Sequence, residues 1–223
     1  MEILRTENLE KTYQDDGVPV HALKGINISI NKGDYLVIAG PSGSGKTTLL
    51  NLLGTLDKPT EGKIFFEGED ITEKSKKELS GLRLHKFGFI FQAYNLIPVL
   101  TAIENIEFTM MLLGIPDKER RERALSLLDE LGIKDLADKR PNDMSGGQQQ
   151  RVAAARAIIN NPEIVLADEP TANLDSVTSG NLLDLMKKMN EEKNITFIFS
   201  SHDKQVIDRA ERLLILKDGM IEQ

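Results

Sequence analysis

The sequence predicts an α/β fold with a mixed, mainly parallel sheet. It adds an antiparallel β subdomain at the N-terminus and an inserted α-helical subdomain. Three observations predict this. From Ser145 onward, short apolar runs alternate with helical patterns, as a parallel sheet requires. Residues 40–48 (GPSGSGKTT) put a glycine-rich turn between an apolar, partly β-branched run and a leucine-rich helix. Residues 92–140 are rich in leucine and methionine at helical spacing. The 223 residues suffice for one domain: 1–91 and 141–223 form the core with its β subdomain, and 92–140 the helical subdomain.

Each element follows in order. Glu2–Asn8, His21–Ile30 and Tyr35–Ala39 read as strands, with turns at Gly17-Val18-Pro19 and Asn31-Lys32-Gly33-Asp34. After the glycine-rich turn and its helix, Asp57–Gly62 is a turn and Lys63–Phe66 a strand. A charged helix runs to about Leu84, and Phe87–Phe91 is a buried strand. Pro116-Asp117 starts a helix whose apolar face is Ala124, Leu125, Leu128 and Leu131, with Gly132 as its stop. Met110-Met111-Leu112-Leu113 reads as subdomain core. A helix to Ile159, a strand at 164–167, a helix at 176–189, a strand at 195–200, a helix near Asp203 and a hairpin turning at Asp218-Gly219 complete the chain.

Bulk properties narrow the function. A net charge of −7 argues against a nucleic-acid partner, and the basic clusters at 74–77 and 120–123 read as solvated helix faces. There is no cysteine, hence no disulfide, thiolate metal site or cysteine nucleophile, consistent with a reducing cytoplasm. The first residues lack a signal-peptide pattern. The longest apolar patch, Phe108–Ile115, falls short of the ~20 residues a membrane helix needs. A membrane role therefore requires a partner.

The turn at Gly40-Pro41-Ser42-Gly43-Ser44-Gly45-Lys46-Thr47-Thr48 is a phosphate loop in its proper strand–turn–helix setting. Glycines let backbone N–H groups curl around an anion, and the following helix start adds its positive end. Lys46 is placed for the β- and γ-phosphates of ATP, Thr47 for Mg2+ and Thr48 for the α-phosphate. A second constellation, Ile164 to Pro170 (IVLADEP), is a buried strand ending in two carboxylates. Asp168 fits a metal partner opposite a phosphate loop, and Glu169 a base that polarises water. In a third, Met144 to Arg151 (MSGGQQQR), a serine and two glycines precede an alanine-rich helix. One chain thus carries two phosphate-seeking helix starts about a hundred residues apart. A head-to-tail pair would use both, the serine-glycine turn of one protomer capping the γ-phosphate held by the other.

Together these residues resemble the ATP-binding-cassette (ABC) ATPases, with the motifs in family order along essentially the whole chain. Ser145-Gly146-Gly147-Gln148 resembles the signature motif, with Met144 where leucine is usual. Gly40–Thr47 resembles the Walker A loop, and Ile164–Asp168 the Walker B strand followed by the glutamate. The resemblance implies a Q-loop glutamine at Gln92 that touches the metal, a D-loop at 172–175 with Asp175, a switch histidine at His202 and an adenine-stacking ring at Tyr13. It implies that Glu169, His202, Lys46 and Gln92 act in catalysis, with Thr47, Gln92 and Asp168 organising the metal. Finer stretches (ALKGINISI, LNLLGTLDKPTEG, SGGQQQRVAAARAI) resemble the lipoprotein-release and macrolide-efflux ATPases.

The reading is an ATP-hydrolysing transporter subunit, paired through its signature motif and lying on the cytoplasmic face of the membrane. It would dock an integral membrane permease near Tyr94–Leu100, where large apolar side chains crowd a loop holding Pro98. The alternatives are a non-transport cassette acting on nucleic acid or ribosomes, and a P-loop kinase. Cassettes of the first kind usually carry tandem copies or a long coiled coil, whereas only 53 positions separate Gln92 from Ser145. The second has no use for Ser145–Gln148.

Overall fold

The computed structural model describes residues 1–15 and 17–222. The chain forms two compact units, Met1–Arg83 with Thr196–Gln223, and Leu84–Ile195. In chain order the first contains β1 (Glu2–Asp15), β2 (Val18–Asn31), β3 (Tyr35–Ala39), α1 (Lys46–Leu53), β4 (Glu61–Phe66) and β5 (Glu69–Asp70). Helix α2 (Lys76–Lys86) runs through the sequence boundary. The second unit holds β6 (Phe87–Ile90), α3 (Ala102–Leu112), α4 (Asp117–Glu130), α5 (Gly146–Ile158), β7 (Ile164–Asp168) and α6 (Ser176–Lys193). The chain returns to the first unit with β8 (Thr196–Ser201), α7 (Lys204–Ile207), β9 (Arg212–Lys217) and β10 (Met220–Glu222).

In the first unit an antiparallel sheet runs β2-β1-β4-β5. A second set runs β10-β9-β3-β8, with β3 parallel to both β8 and β9. Strand β3 is buried at every position, as a parallel strand covered on both faces should be. Tyr35 packs on Phe199 and Phe197 with ring centroids 4.7 and 5.9 Å apart. Strands β1 and β2 are longer than the sequence pattern predicts. Asn8 takes a left-handed φ of 45°, and the register shifts between Thr6 and Leu9 and again before Lys11. Such bulges break the apolar alternation without ending the strand. Val18 and Pro19, expected in a turn, belong to β2, an edge strand where proline is tolerated.

In the second unit β6 and β7 pair in parallel. Helix α5 crosses β6 so closely that a Cβ on Gly88 would lie 2.3 Å from the Ala157 carbonyl oxygen. The α4 face differs from expectation. Ala124, Leu127, Leu128 and Leu131 are buried, at i, i+3, i+4 and i+7, whereas Leu125 lies a further step round and is half-buried. Met110 is fully buried, but Met111 and Leu112 are 48% and 55% exposed, because consecutive helical positions cannot share one face. The basic cluster at 120–123 is likewise not uniformly solvated: Arg120 donates to the Ile115 carbonyl and to Asp117. The expected boundaries at 92 and 140 both fall inside this unit, and residues 92–140 hold helices and turns but no strand. Among the described residues no helix is long and apolar enough to cross a membrane.

Candidate functional site

Parallel β-strands place ligand-binding loops at their C-terminal ends. In the first unit Ala39 of β3 pairs with Ser201 of β8, so Gly40 and His202 leave adjacent strand ends. In the second, Ile90 of β6 pairs with Ala167 of β7, so Gln92 and the Asp168-Glu169 pair leave adjacent ends likewise. Tyr13, Gly40–Thr48 and His202 thus belong to the first unit, and Gln92, Ser145–Gln148, Asp168, Glu169 and Asp175 to the second.

The phosphate loop has the donor set of an anion site. Gly43 and Gly45 take φ of 79° and 103°, and Gly45 caps α1 with no side chain bonded to the first helical N–H groups. A Cβ on Gly45 would also approach the Ala22 carbonyl oxygen to 2.6 Å. Lys46 is 8% exposed, and its ammonium donates to the carbonyls of Gly40 (2.8 Å) and Pro41 (2.9 Å). The Ser44 hydroxyl is buried and has no hydrogen-bond partner. A buried cation bonded to carbonyls, beside a buried hydroxyl with no partner and a helix start with no side-chain cap, is a donor set that fits an anion. A triphosphate supplies that anion.

Tyr13 belongs to a tight cluster. Its phenol donates to Asp57 Oδ2 at 2.9 Å and also bonds Thr48, while the Lys11 ammonium lies 4.8 Å from the ring centroid. Lys11 in turn pairs with Asp57 at 2.8 Å. Burial raises the Tyr13 phenol above its usual value, helped by the hydrogen bond to Asp57. The ring is therefore anchored at its hydroxyl and loaded with a cation on one side. His202 is exposed at the end of β8, and the next residue, Asp203, caps α7 by accepting from the Gln205 N–H.

The second unit brings the remaining candidates into contact. Ser145 and Gln148 form a capping box at the start of α5: Ser145 Oγ accepts from the Gln148 N–H, and Gln148 Oε1 accepts from the Ser145 N–H. Because the Ser145 oxygen accepts, its own proton stays available for an outside acceptor. Asp175 caps α6, accepting from the N–H groups of Val177 and Thr178 and from the Thr178 hydroxyl at 2.6 Å. Those bonds, that of the Thr178 hydroxyl first, hold the Asp175 carboxyl below its usual value. A cavity of about 450 Å³ is lined by Ser145, Gly146, Gly147, Gln148, Arg151 and Asp175 among others. The Gln92 carbonyl accepts from Asn173 Nδ2 at 3.0 Å, tying the Gln92 loop to the Asp175 loop. Glu169 has a left-handed φ of 44°, unusual for a non-glycine residue and a signature of strain held by its surroundings.

Sequence reasoning missed Gln150, Arg156 and Thr178, and placed Tyr94 only in the docking stretch. Tyr94, Gln150, Arg156 and Thr178 all contact these loops. Gln150 gave no local signal: it stands in the polar run Gln148–Arg151, yet it alone of the four is fully buried.

The ABC transporter family model matches residues 23–172. The chain is 46% identical over 220 residues to the lipoprotein-releasing system ATP-binding protein LolD of Aquifex aeolicus, covering 99% of this chain and 96% of that one. It is 43% identical over 224 residues to the macrolide export ATP-binding/permease protein MacB of Syntrophobacter fumaroxidans, covering 100% of this chain but 31% of that one. A solved cassette from Methanocaldococcus jannaschii, dimeric and bound to ADP and Pi after hydrolysis, matches with a TM-score of 0.93 at 44% identity, covering 99% of this chain and 97% of that one.

Proposed function

This chain belongs to the ABC transporter family, as its ATP-hydrolysing subunit, and we propose that it works by closing head to tail on a second cassette around ATP. One observation carries the proposal: the chain has one phosphate loop, whose helix start has no side-chain cap, and one capped serine-glycine turn at the start of a second helix. Two chains then complete two equivalent sites.

The roles follow from the chemistry of the residues. Lys46 exchanges its two carbonyl partners for β- and γ-phosphate oxygens, and Ser44 and the α1 N–H groups gain acceptors. Thr47, Gln92 and Asp168 hold Mg2+, a small donor set of the kind this ion accepts when phosphates and water fill its other positions. When bound, the metal neutralises charge on the transferring phosphoryl group. Glu169 takes the proton of the attacking water, and His202 orients the γ-phosphate. Tyr13 stacks on adenine with its ring face opposite Lys11. Ser145 and Gly147 complete the site of the partner. Gly40 to Thr48 bind the nucleotide of their own chain, Gly146, Gln148 and Asp175 frame the nucleotide held by the partner, and residues 92–140 form the arm between the Gln92 loop and the signature turn.

The permease partner docks near Tyr94–Leu100, holding the cassette on the cytoplasmic face of the membrane, and export or lipoprotein release is the direction that similarity to LolD and MacB supports. Val99 is 73% exposed there. The fully buried Asn105 braces the loop, accepting from the Ile97 N–H and donating toward the Ile97, Leu100 and Thr101 carbonyls.

The experiment is hydrolysis with water as the only phosphoryl acceptor. Phosphate release per chain should rise with protein concentration, because the competent species is a pair. Release per chain that is independent of concentration down to the nanomolar range would contradict the paired site.

A further inference from the structure

Gly146 and Gly147 open α5 with right-handed helical backbone, so nothing in their φ values calls for glycine. Glycine is also among the poorest helix formers. The space beside them explains their presence. A Cβ on Gly146 would lie 2.6 Å from the Tyr94 hydroxyl oxygen; its next neighbours, Asn173 O and Tyr94 Cζ, would be at 3.6 Å. A Cβ on Gly147 would lie 2.4 Å from Thr178 Cγ2; after that methyl, the nearest atoms are Thr178 Cβ at 3.6 Å and Oγ1 at 3.8 Å. In each case one terminal atom of one side chain from the same chain fills the volume.

Neither neighbour is loosely held. Tyr94 and Asn95 both take left-handed φ, 61° and 50°, and the Arg156 guanidinium grips both of their carbonyl oxygens. Thr178 is locked by its 2.6 Å hydrogen bond to Asp175, the residue that caps α6. Tyr94 lies two residues beyond Gln92, and Asp175 two beyond Asn173, which bonds the Gln92 carbonyl.

We propose that Tyr94 and Thr178 are positioning residues for the signature turn: their terminal groups occupy the space beside Gly146 and Gly147 and register the turn against the Gln92 and Asp175 loops. The glycines are required from inside the chain. A displacement of the Gln92 loop therefore reaches Ser145 through one hydroxyl-on-glycine contact. This inference rests on the trans role proposed for the turn.

The test is rescue, in the Glu169→Gln background with Mg-ATP. Dimer dissociation constants come from analytical ultracentrifugation and monomer nucleotide affinity from a fluorescent ATP analogue. Gly146→Ala and Gly147→Ala should each weaken pairing about tenfold or more while leaving monomer nucleotide affinity unchanged. Gly146→Ala with Tyr94→Phe should regain pairing to within about threefold, since removing one oxygen leaves 3.6 Å of clearance. Gly147→Ala with Thr178→Ser should do the same, because serine keeps the bond to Asp175 and loses only the methyl. The crossed combinations should not recover. Pairing that is lost in the single variants and not regained in the matched doubles overturns the inference while leaving the trans role intact. Unimpaired pairing in the single variants overturns it as well. A Glu169→Gln chain that never pairs in ATP overturns the trans role, and this inference with it.

Discussion

Gln150 Nε2 donates a 2.7 Å hydrogen bond to the carbonyl of Pro170, the residue that follows Glu169. Gln150 is fully buried in α5, the helix whose first turn is the signature, and its own Oε1 has no hydrogen-bond partner. The left-handed backbone of Glu169 costs about 1–3 kcal/mol and persists only because neighbours hold it. Gln150 is one of those neighbours. The helix that would meet the partner's nucleotide also holds the segment carrying the proposed base.

Gln150→Leu keeps the volume and removes the bond. It should lower kcat about tenfold with KM changed less than about twofold, because the loss concerns placement of the base and not nucleotide binding. Steady-state kinetics separates the two. A rise in KM at constant kcat would contradict the positioning role.

Lys46 presents a trade between stability and function. Its ammonium is buried and donates to two carbonyls, an expensive arrangement for a charge. Lys46→Met should leave the melting temperature of the nucleotide-free chain unchanged or raise it, while weakening ATP binding roughly a hundredfold. Thermal unfolding with and without Mg-ATP measures both. A melting temperature lowered by several degrees without nucleotide would contradict this account.

How much of this was legible in the sequence depends on the range of the physics involved. The phosphate loop, the strand-end carboxylates and the serine-glycine turn were readable because their chemistry is local: glycines, a lysine and an apolar run at fixed spacing. The face of α4 was misjudged at Leu125 against Leu127, since one step of helical phase cannot be fixed before the packing partner is known. The ends of β1 and β2 were lost at the Asn8 bulge. The contacts of Tyr94, Gln150 and Thr178 with the signature turn and the Glu169 segment could not be read, because they span 20 to 52 residues of sequence, such as Tyr94 against Gly146.

The Tyr13 cluster makes a prediction in pH. Burial alone would raise Asp57, but hydrogen bonds from Lys11, the Lys58 backbone and Tyr13 outweigh it and hold the carboxyl below its usual value. A depressed folded value means the contribution is fully present above the unfolded value of about 3.9 and is lost as pH falls through the folded value. Through this cluster, ATP affinity should be flat from about pH 5 to 9. Asp57→Asn should weaken ATP about threefold across that range, a modest effect for a partly exposed cluster. A midpoint near neutrality that disappears in Asp57→Asn would contradict the assignment.

Leu96 and Val99 test the permease surface. Replacing both with serine should leave the ATPase activity of the isolated chain within about twofold of native, because neither side chain is part of the phosphate or metal sites. Stimulation by the permease, and transport, should be lost. Equal loss of both activities would mean that the loop serves the fold and not the partner.

The central claim, that two chains share two nucleotides, is tested most directly by the mass of Glu169→Gln in solution. Removing the base should stop hydrolysis and leave both γ-phosphates between the chains. Size-exclusion chromatography with light scattering should then give a dimer in Mg-ATP and a monomer in Mg-ADP. A Glu169→Gln chain that stays monomeric at millimolar ATP, with nucleotide bound, would contradict the claim.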